Sequence, residues 1–131
     1  MNSTAGRASE RRQDTVLIVI SEVLTRNLLA DYLRRCGYHV FEAKDFDEAF
    51  TVLGRFFDVV HVVLADAQSG FALSHWARKH RPQLSIVVAS NMERAADAAA
   101  ELCDHGPLKT RPYDPQLLID VIRQALARSK R

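Results

Sequence analysis

The sequence predicts an α/β fold, and three observations carry this prediction. Short apolar runs of the kind that form buried strands alternate with segments of helical period along most of the chain. Capping residues precede several of the helical segments, and glycine or proline follows others. The connections are short, which suits parallel strands joined by helices. Five such units predict a three-layer, flavodoxin-like (βα)5 domain with the parallel strand order 2-1-3-4-5.

Residues 15–20 form a continuous apolar and β-branched run, which is typical of a strand that helices cover on both faces. Residues 59–64 are predicted as a third, buried strand and residues 84–89 as a fourth. Residues 38–42 form a shorter second strand, and residues 107–110 form the fifth, which has the weakest pattern. The sheet is therefore expected to be parallel and buried.

The helices are predicted from caps and apolar stripes. Gly37 stands where the first helix is expected to end in a residue of positive φ. The expected N-terminal signals are Ser21, the capping-box pairs Asp45–Glu48 and Ser90–Glu93, and Asp114 followed by Pro115.

Composition limits the class of protein. The chain has 131 residues, 47% of them hydrophobic and 26% charged, and a formal net charge of +2, which predicts one globular domain without a nucleic-acid-binding surface. The longest apolar run is too short to cross a bilayer, so no membrane association is expected. Residues 1–14 are predicted to be a flexible leader, residues 15–128 the domain, and residues 129–131 a tail.

The two cysteines, Cys36 and Cys103, share no motif and lie far apart in the sequence. They are interpreted as two buried, reduced thiols, and the protein is predicted to be cytoplasmic.

Two segments resemble the receiver domain of response regulators in two-component signalling. Thr15–Val40 is similar to the family's first strand, acidic site, leucine-rich helix and second strand. Arg111, Pro112, Tyr113 and Asp114 resemble the Lys-Pro-aromatic segment between the last strand and the last helix. The resemblance spans about residues 15–128 and implies the receiver fold, with a cis peptide bond before Pro112.

The resemblance also implies a phosphorylation pocket at the carboxyl ends of the strands. In the family, carboxylates hold Mg²⁺ while a phosphoryl group moves from a kinase histidine to an aspartate. Here Ile20 and Ser21 fall on the family's acidic pair, and only the adjacent Glu22 is an acid. Ser21 is expected to cap a helix and Glu22 to lie in its first turn. No cofactor and no metal, Mg²⁺ included, is therefore expected.

The acceptor position falls on a valine. Asp58 resembles the family's acidic residue five places before the acceptor, and counting forward from it leads to Val63. Gly70 resembles the family's glycine that opens the third helix, and counting back from it leads to Val62. Valine cannot accept a phosphoryl group. Asp66 is the alternative acceptor, provided that the third strand is longer and the loop after it shorter than in the family.

The opposite side of the pocket is better preserved. Ser90 falls on the family's hydroxyl residue, although it is equally suited to cap the fourth helix. Arg111 replaces the family's lysine, Lys109 is expected on the same face, and Pro112 follows. These residues predict a pocket that has kept its positive side and lost its acidic side.

The sequence therefore predicts an atypical, degenerate receiver that is not an enzyme. It is expected to act by binding a histidine kinase or another signalling protein, with a possible homodimer through the fourth helix, fifth strand and fifth helix. Two alternatives stay open: a working receiver phosphorylated on Asp66, and a flavodoxin-like protein that binds a small anion.

Overall fold

The structure is a computed structural model, and it describes residues 14–56 and 58–130. All of the predicted leader except Asp14, and the last residue of the predicted tail, lie outside this part of the chain. The elements are β1 Thr15–Val19, α1 Val23–Arg35, β2 His39–Ala43, α2 Phe46–Arg55, β3 Val62–Asp66, α3 Ala67–His80, β4 Ser85–Ala89, α4 Met92–Asp104 and α5 Pro115–Ser129.

The strands form one parallel sheet with the order β2-β1-β3-β4, which confirms the predicted fold class. The residues of β1 are fully buried because helices cover both faces. Alternate residues of the strands point to opposite faces. Val16 and Ile18 pack with α1, α4 and α5, whereas Leu17 and Val19 pack with α2 and α3.

The predicted fifth strand does not form, so among the described residues the sheet has four strands and not five. Pro107 has no N–H to donate to a ladder, and Lys109 has a φ of 55°, which no strand accommodates. Leu108 is 60% exposed instead of packed on the sheet. One apolar residue in this segment gives too little burial to hold it at the edge of β4.

The last helix lies antiparallel to α4. Arg111, just before α5, pairs with Asp104 at the end of α4, whereas Arg123 in the middle of α5 pairs with Glu93 in the first turn of α4. The two helices therefore form a hairpin closed by residues 105–114. The expected dimer surface of fourth helix, fifth strand and fifth helix lacks its central strand among the described residues.

Helix caps were predicted correctly at two places and wrongly at two. Asp45 caps α2 and accepts the N–H of Glu48 at 3.0 Å, and Asp114 caps α5 with Pro115 in the first turn. The caps of α1 and α4, however, are Glu22 and Asn91, each one residue after the serine that was expected.

Gly37 has a φ of 98°, as expected at the end of α1. No described peptide bond is cis, so the implied cis bond before Pro112 is not found.

The prediction of two reduced thiols is wrong for this structure. Cys36 is the C-terminal cap of α1, Cys103 lies in the last turn of α4, and the two form a disulfide with their Cα atoms 5.3 Å apart. Both are fully buried, as expected. A separation of 67 residues gives no local signal. The pair meets because α1 and α4 pack side by side on one face of the sheet.

In the part of the chain that the structure describes, none of the helices combines the length and the apolar composition needed to cross a bilayer.

Candidate functional site

A cavity of about 220 Å³ lies at the carboxyl ends of β1, β3 and β4. This is the edge at which open α/β sheets bind their ligands. Five of the polar side chains that line it stand at the ends of these strands or directly after them: Ser21, Glu22, Asp66, Ser90 and Asn91. We take this cavity as the candidate site.

Asp66 reaches the cavity because β3 begins later than the sequence suggested. The strand covers Val62–Asp66 instead of residues 59–64, since the pairing of Val16 with Val62 sets its apolar residues against β1. Helix α3 then starts directly at Ala67, before Gly70, which was expected to open it. The longer strand end and the shorter loop that an acceptor at Asp66 requires are therefore both present.

The carboxylate of Asp66 is already occupied by backbone donors. Its Oδ1 accepts the N–H of Ser69, which makes it the N-cap of α3, and its Oδ2 accepts the N–H of Ser21, each at 2.9 Å. Charge-assisted bonds of this kind are about twice as strong as neutral ones. Asp66 thus ties the loop after β1 to the start of α3.

Glu22 is the second carboxylate of the cavity, and it too serves a helix. Its Oε1 accepts the N–H of Thr25 at 2.6 Å. Partial burial raises the pKa of Glu22, but hydrogen bonds from the backbone of Thr25 and Leu24 and the charge of Arg26 outweigh this and leave it below its ordinary value. The group is therefore held in its charged form.

Ser90 is not a cap, which leaves its hydroxyl available to the cavity. Asn91 takes the capping role and accepts the N–H of Arg94 at 2.8 Å. Ser90 thus lies beyond the end of β4, at the position that the receiver resemblance assigns to a hydroxyl residue.

Arg111 and Lys109 lie away from the cavity. Nε and Nη2 of Arg111 donate to Oδ1 and Oδ2 of Asp104, at 2.9 and 2.8 Å. The hydrogen bond from Arg111 lowers the pKa of Asp104, and the same bond raises that of Arg111. Neither residue lines the cavity, and Pro112 does not either. The expected grouping of Ser90 with these cations is not found.

The charge of the cavity is therefore the opposite of the expected one. Its lining includes two carboxylates, Glu22 and Asp66, and no lysine or arginine. Arg26 lies beside the cavity. Its Nη1 donates to the carbonyl of Ile20 at 2.9 Å, and its Nε lies 3.5 Å from Oε1 of Glu42. Sequence reasoning did not identify Arg26. Its position four residues after Glu22 could have indicated it, because side chains at this spacing are neighbours on a helix.

Ile20, Val62 and Val63 take structural positions. Ile20 extends the ladder of β1 by donating its N–H to the carbonyl of Ala43, and its side chain is buried in the core. Val62 and Val63 are the first two residues of β3, at the end of the strand away from the cavity, and neither lines it.

The donor set does not fit the magnesium ion of the receiver family. Ile20 offers no oxygen where the family has an acid, and the two available carboxylates already bind backbone N–H groups. Among the described residues, no three His, Cys, Asp or Glu side chains are grouped in a way that would hold a metal ion. Hard cations such as Mg²⁺ need several oxygen ligands.

Solved structures show what the domain resembles. NtrX from Brucella abortus in complex with ADP has a TM-score of 0.54 and 28% identity over 88% of this chain and 26% of that chain. A second NtrX structure from the same organism has a TM-score of 0.51 and 25% identity, over 88% of this chain and 27% of that one. NtrX is a response regulator with a receiver domain. The chain has the receiver fold.

A third similar structure is the anti-anti-sigma factor PhyR from Bartonella quintana, which also contains a receiver domain. It has a TM-score of 0.52 and 18% identity over 99% of this chain and 54% of that chain, and it supports the fold alone. This receiver-type chain spans about a quarter of NtrX and about half of PhyR. No protein-family model matches the sequence, and no curated protein is significantly similar to it.

Proposed function

We propose that this domain is an atypical receiver in two-component signal transduction that acts by protein–protein contact, without phosphorylation of an aspartate. The receiver fold and the solved structures it resembles support a role in signalling. The loss of phosphorylation is the finer part of the proposal, and it rests on the state of Asp66.

The observation that carries the proposal is the double hydrogen bond of Asp66. In phosphoryl transfer the attacking oxygen must be free to approach phosphorus, and the growing charge must be neutralised by metal ions or cations. Both oxygens of Asp66 accept backbone N–H groups, and the lining of the cavity contributes no cation. Attack by either oxygen would compete with the hydrogen bond which that oxygen accepts, from Ser69 at Oδ1 or from Ser21 at Oδ2.

The proposed partners are a histidine kinase or another signalling protein. A receiver that does not switch with phosphate would bind its partner through a fixed surface, and its affinity would be the same with and without a phosphodonor. We propose no enzymatic activity, cofactor or metal ion for the domain.

The proposal is tested by incubating the protein with acetyl phosphate and Mg²⁺ and measuring its intact mass. The proposal predicts that the mass does not change. A gain of one phosphoryl group that is absent from Asp66→Asn would contradict it. An unrelated phosphorylatable receiver treated in parallel shows that the donor is active.

A working acceptor at Asp66 is the second candidate, and one observation favours it. Asp66 ends β3 and shares the cavity with Ser90, which is the arrangement that the receiver family uses for acceptor and hydroxyl. The mass measurement separates this candidate from the first.

The third candidate, binding of a small anion, is less well supported. The lining of the cavity includes two carboxylates and no cation, and Arg111 is paired with Asp104. Thermal-shift measurements with phosphate, sulfate and nucleotides test it, because a ligand that binds only the folded state raises Tm.

We also propose a cytoplasmic location, which follows from a role beside kinases. The disulfide between Cys36 and Cys103 is in tension with this, since disulfides are rare in the cytosol. Trapping free thiols by alkylation in intact cells decides the point: two alkylated cysteines support the cytosol, and two protected ones contradict it.

A further inference from the structure

The outer side of β4 carries unpaired backbone groups. β4 is the last strand of the sheet, and none of the described strands pairs with it on that side. Ser85 donates its N–H to the carbonyl of His61, on the β3 side, at 3.1 Å. Every second residue from Ser85 therefore bonds to β3, and the residues between them, Ile86 and Val88, direct their N–H and C=O groups outward.

This edge lacks the features that usually protect an edge strand. Natural edges carry charged side chains, proline or a bulge, or are covered by a helix or loop. The stretch Leu84–Ser90 contains no charged residue and no proline. Val88 is 38% exposed on it. The strand therefore brings no charge of its own into a paired edge, while Arg78 and Arg81 line the groove beside Leu84 and Ile86.

Residues 107–110, which were predicted as the fifth strand, do not pair with this edge of β4. The N–H of Leu108 points to the carbonyl of Cys36 at 3.4 Å, and the Sγ of Cys103 lies 3.1 Å from the carbonyl of Thr110. These contacts keep the segment beside the ends of α1 and α4. Among the described residues, the outer side of β4 is thus without a partner strand.

We propose that β4 pairs antiparallel with β4 of a second copy of this chain, which joins the two sheets into one. A two-fold axis at Val87 places Ile86 of one copy opposite Val88 of the other. Each such pair exchanges both of its backbone hydrogen bonds, so the outward groups of the two strands satisfy one another. The edge is self-complementary, as an isologous interface requires.

An exposed aromatic side chain lies at the same level of the strand. A Cβ at Gly70 would be 2.7 Å from Cγ2 of Val88, so the backbone of α3 lies directly against Val88. The next residue, Phe71, is 74% exposed. It is on the same helix stripe as Ser74, which lines the groove beside β4. The two-fold axis brings the Phe71 side chains of both copies over the joined strands, where their apolar surface is buried.

The inference is independent of the proposed function, because it uses a different surface from the cavity at Asp66. Sedimentation velocity of the full chain over a range of concentrations tests it, together with three variants. Val88→Pro removes an outward N–H that pairs with none of the described strands. Val88→Lys places like charges across the axis. Val23→Lys is the matched control, since Val23 is 49% exposed at the start of α1 and does not belong to the β4 edge.

Wild type and Val23→Lys are expected to dimerise with the same dissociation constant. Both Val88 variants should raise it about tenfold or more while keeping the circular dichroism of the wild type. A wild type that stays monomeric up to its solubility limit overturns the proposal. So does a dimer that Val88→Lys leaves unchanged, which would indicate another interface.

Hydrogen exchange gives a second readout that does not depend on variants. The amides of Ile86 and Val88 should exchange faster than that of Val87 in dilute solution and become protected as concentration rises. Protection that is independent of concentration would contradict pairing with a second copy.

Discussion

The backbone N–H of Ser21 donates to Oδ2 of Asp66 at 2.9 Å, which links the loop after β1 to the end of β3 across 45 residues of sequence. With the bond from Ser69 to Oδ1, it makes Asp66 a structural residue of the strand ends. Asp66, the alternative phosphate acceptor, therefore supports the local fold at the strand ends.

Replacing Asp66 should destabilise the domain. Asp66→Ala removes an N-cap and leaves the N–H of Ser21 without its partner, so we expect a loss of about 1–3 kcal/mol in the free energy of unfolding. Asp66→Asn should lose less, because its one side-chain oxygen can still cap α3. Urea unfolding measures both, and equal stability of Asp66→Ala and the wild type would show that the two bonds contribute nothing.

The cap of α1 can be assigned by a pair of variants. Glu22→Ala should cost about 1 kcal/mol at neutral pH, whereas Ser21→Ala should stay within about 0.5 kcal/mol of the wild type. Denaturant unfolding measures both variants. A larger loss of stability for Ser21→Ala than for Glu22→Ala would show that Ser21 is the cap.

The contribution of Glu22 should depend on pH. Because the folded state lowers the pKa of Glu22 below 4.5, its stabilising effect is present above that value and is lost as the pH falls through the folded pKa. The gap in stability between the wild type and Glu22→Ala should therefore narrow between pH 5 and pH 3, by a small amount since Glu22 is largely exposed. A gap that widens on acidification would contradict the assignment.

Reduction should lower the stability of the domain. The disulfide between Cys36 and Cys103 closes a long loop, and such cross-links typically contribute about 2–4 kcal/mol. We expect a lower Tm with reductant in the wild type and no effect of reductant in the Cys36→Ala, Cys103→Ala double variant. A wild-type Tm that does not respond to reductant, together with two thiols that react in the unfolded protein, would show that the bond is absent.

Gly37 should not tolerate a side chain. Its φ of 98° is unfavourable for other residues, and a Cβ there would lie 2.9 Å from Cγ of Leu108. Gly37→Ala is expected to lose more than about 1 kcal/mol, whereas Gly54→Ala, at a helical position with open space around it, should be neutral or stabilising. Thermal unfolding of both variants checks this, and equal effects would contradict it.

The fold could be predicted because its signals are local. β1 is a continuous apolar run, and the caps at Asp45 and Asp114 precede clear helical stripes. The missing fifth strand shows the limit of such signals. Residues 107–110 resemble a strand only by their place in the order of elements, and whether they pair depends on the burial that the edge of β4 provides.

The site was harder to predict because it depends on register. Counting from Asp58 and Gly70 assumes loop lengths, but pairing with β1 decides where β3 ends, and this moves Asp66 into the cavity. The caps were missed for a related reason. Ile20 continues the ladder of β1 toward β2, so α1 begins one residue later and Glu22 caps it instead of Ser21.

The most direct test of the proposed mode of action is to follow the amide resonances of Ser21 and Ser69 by NMR while adding Mg²⁺ and beryllofluoride, which mimics a phosphoryl group on an aspartate. The two amides report on the two oxygens of Asp66. If the domain acts without phosphorylation, both resonances stay in place at every concentration. Saturable shifts of both, absent in Asp66→Asn, would show that Asp66 is a working acceptor and would contradict the account.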